Sequence, residues 1–293
     1  MARFSFVTVD VFTEKRFGGN PLAVFPDARG LSDTDMQALA AEFNLSETTF
    51  VLPPADAANT ARVRIFNRRA EMPFAGHPNV GTGWVLARHG RAKDGKLRFE
   101  EIAGLVEIEV GEAITIAAPQ PLSLGPEMPV ELVSACVGLE PGDVLTKAHR
   151  PVSASVGNSF VIAEVTGEAL TRATPDIGQF REAAKTYTAM GPNRLPLYLY
   201  AHDGARDGNR IRTRMFSPLS GTVEDAATGS AATPLAALLL SLSPAAVGTY
   251  DLVQGVEMGR PSRLSCSAHR AADGIRAKVG GRCVPVLEGT VEL

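Results

Sequence analysis

The chain has 293 residues, enough for two compact domains, each with its own core. Apolar residues make up 45% and charged ones 21%, the make-up of an ordinary soluble globular protein, and a net charge of −3 without a basic run excludes nucleic acid as the main partner. Three well-separated cysteines (Cys136, Cys266, Cys283), without CxxC spacing, exclude a disulfide frame and a zinc site and read as reduced thiols.

In chain order, Met1-Ala2-Arg3 leads straight into Phe4 to Val9, which alternates like a strand and lacks a signal-peptide profile, so the cytoplasm is the expected address. Gly18-Gly19-Asn20-Pro21 makes a turn before a short buried strand, Leu22 to Phe25. A helix opens at Leu31-Ser32-Asp33, with Ser32 as N-cap and Asp35 completing a capping box; Met36, Leu39, Ala40 and Phe43 share its apolar face. Ser46 to Leu52 changes period and reads as a strand, stopped by Pro53-Pro54, and Arg62 to Phe66 reads as another. A small, mostly apolar helix follows, with Pro78 in its first turn, an end near Arg88 and Gly90 as its stop.

Gln120 to Met128, rich in Pro and Gly, reads as a linker, so the expected domains are 1–120 and 129–293, joined by 121–128. The last strand is free to cross back to the first domain. Each half ends in alternating strands, Gly104 to Val110 and Lys278 to Leu293. Ala231 to Leu240 is a helix without a charge, and a helix apolar all round in a soluble protein is buried all round. The most apolar stretch, Ala231 to Leu242, is about a dozen residues, too short to span a bilayer.

One pattern occurs twice, about 150 residues apart. Arg64-Ile65-Phe66 precedes Glu71-Met72-Pro73-Phe74-Ala75-Gly76-His77, and Arg214-Met215-Phe216 precedes Glu224-Asp225-Ala226-Ala227-Thr228-Gly229-Ser230. In both, a strand end is followed by a Glu five residues before a Gly, and an apolar helix comes next. Other features pair as well. Gly19-Asn20-Pro21 is echoed by Gly157-Asn158-Ser159, and Glu47 to Leu52 sits where Leu195 to Tyr200 sits in the second half. The expected fold is therefore α+β: two pseudo-symmetric domains, each a curved, mostly antiparallel sheet wrapped around a central apolar helix. A helix N-terminus exposes unpaired N–H groups and positive potential, which suits it to a carboxylate.

With these motifs in place, the chain resembles the phenazine-biosynthesis PhzF-like family of isomerases, which shares its fold with diaminopimelate epimerase. The matching residues are Asp10-Val11-Phe12 with Phe17-Gly18-Gly19-Asn20-Pro21-Leu22-Ala23-Val24, Asn44-Leu45-Ser46-Glu47-Thr48-Thr49-Phe50, Pro73-Phe74-Ala75-Gly76-His77-Pro78, and Glu224 through Ala232. The resemblance implies two barrels with the active site in the cleft between them, no cofactor, no metal, and a homodimer. It implies Glu47 as general acid/base, with His77 and Asp225 as catalytic partners that move or stabilise charge. Gly76, Gly229 and Ser230 would bind substrate, with Asn20 lining the cleft. A carboxyl in a closed apolar cleft has a raised pKa, and so takes and returns a proton near neutral pH.

Two departures from the family pattern stand out: Ala226 where Pro is usual, and Asn67-Arg68 where Thr-Pro is common. The related two-thiol racemases carry a cysteine before each helix; here those positions are Ala75 and Thr228, neither of which is a base. The sequence also lacks GxGxxG after a strand, a P-loop and HExxH, and its five histidines are dispersed. The expected activity is a cofactor-independent proton shift on a small carboxylate such as a cyclic diene or amino acid derivative. A two-base epimerase using Glu47 and Asp225, and a catalytically idle small-molecule-binding protein, are the alternatives.

Overall fold

The computed structural model describes residues 2–204 and 210–293, and Met1 lies outside them. Contacts divide the chain into two compact units: Met1–Ala117 with Gly280–Leu293, and Ala118–Val279.

The first unit contains β1 (Arg3–Val11), β2 (Asn20–Phe25), α1 (Asp33–Phe43), β3 (Glu47–Leu52), β4 (Ala61–Phe66) and β5 (Glu71–Met72). It continues with α2 (Gly76–Arg88), β6 (Lys96–Glu101), β7 (Gly104–Val110) and β8 (Ile114–Ala117). Pairing runs β1-β2-β3-β4-β6-β7-β8, with β2–β3 and β4–β6 parallel and the rest antiparallel. β5 folds back on β4 as a short hairpin arm. The sheet curves around α2, which packs against β1, β2, β3, β7 and β8. Small residues let it fit: a Cβ on Gly81 would lie 2.6 Å from Leu22, and one on Gly83 would lie 3.0 Å from Ile108. The other face of the sheet carries α1, where Met36, Leu39 and Ala40 join Phe25, Phe50 and Phe66 in an aromatic-rich core. Ser32 caps α1 with the capping box its sequence specifies, Ser32 Oγ accepting from the Asp35 amide.

The second unit contains β9 (Ser123–Glu127), α3 (Val130–Cys136), β10 (Val144–Leu145), β11 (Val152–Ser155), β12 (Ser159–Val165), α4 (Gly167–Arg172) and α5 (Ile177–Thr186). β13 (Leu197–His202), β14 (Arg210–Ser217), β15 (Thr222–Asp225), α6 (Gly229–Ser241), β16 (Val247–Gln254), β17 (Ser262–Ala271) and β18 (Gly274–Gly281) follow. Pairing runs β9-β11-β12-β13-β14-β16-β17, with β12–β13 and β14–β16 parallel. β15 folds back on β14, as β5 does on β4. The sheet curves around α6, which packs against β11, β12, β16 and β17. On the outer face α3 and α5 supply Val133, Cys136 and Phe180 to a second core.

Within 121–128, expected as a linker, residues Ser123–Glu127 are instead the strand β9. It is an exposed edge strand, where Pro126 and Gly125 are tolerated because one side of the backbone has no ladder to complete. The last strand, β19 (Cys283–Glu292), lies in the first unit, antiparallel to β1 from Arg3↔Glu292 to Val11↔Cys283. α2 begins at Gly76 with Pro78 in its first turn, as its sequence indicates, and α6 begins at Gly229, two residues ahead of the expected Ala231. This puts His77 and Ser230 inside the first turn.

Candidate active site

In the first unit, the loop between β1 and β2 presents Asn20. Asp10 holds the loop by accepting the Phe17 N–H at 2.6 Å. Gly19 is required: it sits at φ +64°, and a Cβ there would lie 2.3 Å from the Val11 carbonyl oxygen. Asn20 itself is buried, and Leu22, two residues on, pairs with Glu47 at the start of β3.

Glu47, His77, Asn20 and Ser46 form one connected group. Ser46 Oγ donates to Asn20 Oδ1 at 3.2 Å, and Asn20 Nδ2 contacts His77 Nδ1 at 3.4 Å. With the amide nitrogen as donor, Nδ1 is the acceptor and the neutral ring carries its proton on Nε2. That nitrogen lies 3.4 Å from Glu47 Oε2. The side chains of His77 and Glu47 are 6% and 16% exposed. Burial pushes the Glu47 carboxyl up to about 7, opposed by a hydrogen bond from Ser46 and the positive charge of Arg68. Arg68 sits in the β4–β5 turn, and Asn67 Oδ1 shapes that turn by accepting the amides of Arg69 and Ala70 at 2.7 and 2.9 Å. The strand register places Phe66 opposite Thr48, so this turn continues next to Glu47.

In the second unit, Asp225 ends β15, four residues ahead of the start of α6. Thr228 Oγ1 donates to Asp225 Oδ2 at 2.6 Å. Gln254, fully buried at the end of β16, donates from Nε2 to the Asp225 carbonyl at 2.8 Å and to Thr228 Oγ1 at 2.9 Å. Its Oε1 accepts the Thr228 N–H at 3.2 Å and the Tyr198 hydroxyl at 3.1 Å. Neither central helix is capped by its N-cap side chain: Ala75 has none to offer, and Thr228 turns its hydroxyl to Asp225.

The Arg-x-Phe…Glu repeat proves to be an ion-pair clamp. Arg64 donates to both oxygens of Glu71 at 2.7 and 2.6 Å, and Arg214 to both of Glu224 at 2.8 and 2.9 Å. Each guanidinium also lies over the ring two residues on, Phe66 at 5.1 Å and Phe216 at 4.8 Å. The clamp ties the hairpin arm to its strand just before the central helix begins.

Of the residues singled out from sequence, Asn20, Glu47, Gly76 and His77 gather at one end of α2, and Asp225, Gly229 and Ser230 gather at the start of α6. Two roles were missed. Ser46 was read as strand, and Gln254 carried no local signal because its partners lie 26, 29 and 56 residues away in sequence. The cysteines stay apart from both groups; Cys136 and Cys266 are buried, and burial pushes all three thiols up, Cys136 to about 12. Among the described residues no three His, Cys, Asp or Glu side chains could hold a metal ion, and no helix is long and apolar enough to cross a membrane.

Comparison with known proteins places this geometry in context. A family model described as phenazine biosynthesis-like protein matches residues 9–289. The chain is 36% identical to a trans-2,3-dihydro-3-hydroxyanthranilate isomerase from Pseudomonas chlororaphis, over 98% of this chain and 99% of that protein. A crystal structure of a PhzF-family phenazine biosynthesis protein from Bacillus anthracis superposes with a TM-score of 0.89 at 25% identity, covering 100% of both chains. A hydroxyproline epimerase from Agrobacterium vitis matches with a TM-score of 0.60 at 13% identity, over 99% of this chain and 92% of its own, a likeness of fold alone.

Proposed function

We propose a mechanism on one premise: the chain belongs to the phenazine biosynthesis-like family and is an isomerase. The reaction is a cofactor-independent proton shift on a small, carboxylate-bearing, conjugated substrate, with Glu47 as the single general acid/base. The observation that carries this reading is the Glu47 carboxyl, buried, raised to about 7 and 3.4 Å from His77 Nε2. A group with that pKa is divided between its two forms at neutral pH, so it removes a proton from one carbon and returns it to another.

Glu47 takes the proton as a carboxylate, and the electron pair spreads into the conjugated system. The acid so formed then delivers the proton to a different carbon of that system. His77, held by Asn20 with its proton on Nε2, orients the carboxyl and steadies the charge as it changes. The uncapped helix start at Gly76, beside Glu47 and His77, supplies N–H groups to the developing negative charge. Asp225 is the second catalytic carboxylate. A single base is favoured by strand register: Phe66 pairs with Thr48 and Phe216 with Leu197, so the residue in the place of Glu47 in the second unit is Pro196, which cannot carry a proton.

The relatives' own substrate supplies the first probe. Incubated in deuterium oxide with trans-2,3-dihydro-3-hydroxyanthranilate or a panel of cyclic amino carboxylates, the protein is expected to incorporate solvent deuterium into one of them. Glu47→Gln should lower that exchange by roughly 10²–10⁴-fold with the fold intact by circular dichroism. Exchange that survives in Glu47→Gln removes Glu47 as the base. Inversion at one stereocentre points to the two-base pairing with Asp225, and binding without exchange, insensitive to Glu47→Gln, points to an idle binding protein.

A further inference from the structure

We propose that Gln254 is a positioning residue that, through Thr228, aims one proton donor at Asp225 and so holds that side chain in place. The inference rests on the reading of Asp225 as a catalytic group.

The hydrogen-bond directions follow from chemistry alone. The Thr228 backbone N–H can only donate, so the Gln254 atom 3.2 Å from it is the amide oxygen. The Asp225 carbonyl can only accept, so the atom 2.8 Å from it is the amide nitrogen. These two contacts fix the amide in one orientation. The second hydrogen of that nitrogen enters Thr228 Oγ1 at 2.9 Å, and the hydroxyl must turn its own hydrogen outward, to Asp225 Oδ2 at 2.6 Å. Tyr198 and Thr213 complete the amide oxygen's shell at 3.1 and 3.5 Å, so Gln254 cannot rotate without losing several bonds. On the far side of the turn, Ser262 Oγ donates to the Ala226 carbonyl at 2.8 Å.

The first unit contains a natural variant of the same position. Parallel pairing sets Arg62 opposite Glu100 in one unit and Arg212 opposite Val253 in the other. The next residues, Glu101 and Gln254, are therefore counterparts. Both side-chain oxygens of Glu101 are shut off from solvent, and burial, opposed by a hydrogen bond from Asn79, pushes the carboxyl up to about 8. This strand position accepts a carboxyl, and its burial there favours the neutral form. The titratable groups facing Gln254 are Asp225 on β15 and Tyr198 on β13; Tyr198 is raised by burial and stays neutral.

The test combines three variants with two measurements: deuterium exchange into trans-2,3-dihydro-3-hydroxyanthranilate, and crystal structures of the full chain. Thr228→Val should lower kcat at least tenfold with KM within a factor of two, and Thr228→Ser should restore it. Gln254→Glu, which the Glu101 precedent indicates will fold, should lose activity between pH 6 and pH 8.5 while the wild type does not, because its donor is lost on ionisation. In the crystals the Asp225 carboxylate should leave its wild-type position in Thr228→Val and keep it in Thr228→Ser. An Asp225 side chain unmoved in Thr228→Val, a Thr228→Ser variant as impaired as Thr228→Val, or a Gln254→Glu profile parallel to wild type overturns the inference. An Asp225→Asn variant with full exchange, in a protein whose Asp225 does shift in Thr228→Val, upholds the positioning and removes Asp225 from the proposed reaction instead.

Discussion

Glu47 shows how a residue's surroundings set its use. A solvated glutamate is ionised well below neutrality, whereas here burial outweighs the Ser46 hydrogen bond and the Arg68 charge and lifts the carboxyl to about 7. Because the folded value lies above the unfolded one, the associated stability is fully present below about 4.5 and is lost as pH rises to about 7. The same elevation predicts the kinetics: kcat/KM should rise with pH through an acid limb near 7, since the first step needs the carboxylate. Arg68→Gln removes a charge that favours ionisation and should move this limb to higher pH, read from rate profiles of the two proteins. A limb near 4.5 in the wild type would dissociate it from Glu47. The motif resemblance named Glu47, His77, Asn20 and Asp225, and the physics of a buried carboxyl was foreseeable from it. The chain from Ser46 through Asn20 to His77 was not, because those contacts join residues 26 and 57 apart in sequence and no spacing rule links them.

At the level of elements, local signals were read most faithfully where they are physically local. The Ser32–Asp35 capping box, the Glu47–Leu52 strand and the Gly104–Val110 strand fall where the pattern puts them. Proline and glycine misled at Ser123–Glu127, because only the neighbours of a strand reveal that it lies at an edge. The Arg-x-Phe…Glu repeat was visible as a pattern, but its meaning needed three dimensions. The two clamps differ in depth. Arg214 is 6% exposed and also donates to the carbonyls of Leu170 and Ala173 at 3.0 and 2.7 Å, whereas Arg64 reaches out to the exposed Asp33. Arg214→Ala therefore strands the half-buried Glu224 carboxylate and leaves two carbonyls without their donor, and should cost about 2–4 kcal/mol in urea unfolding, with Arg214→Lys recovering little of it because the forked geometry is lost. Arg64→Ala should cost less. Equal losses at the two sites would mean that burial does not govern the clamps.

Across the whole molecule, the chain's last strand belongs with its first. β19 lies against β1 along nine paired residues, with Arg3 bound to Glu292 across 289 positions. The first unit thus cannot complete its sheet until the final residues are available, and pairing at such separation is slow to form. Deleting residues 280–293 should leave β1 with an open edge and unfold the first unit. Limited proteolysis would then cut within residues 2–117 while 118–279 resists, and equal protection of both would contradict the assignment of β19. The repeat itself is asymmetric at the proposed residues: Glu47 corresponds to Pro196 by strand register, Met72 to Asp225, and His77 to Ser230. Duplication supplied two frames, and the proposed chemistry sits where they diverge.

Ala2 and Leu293 bond to each other twice, amide to carbonyl, at 2.9 and 3.0 Å. Ala2 and Leu293 therefore lie side by side in the first unit. A circular permutant that bridges those two residues with a few glycines and reopens the backbone between Ala117 and Ala118 would run through the second unit and then, unbroken, through the first. Each half would become a single contiguous gene segment, separable and exchangeable with the corresponding half of a relative.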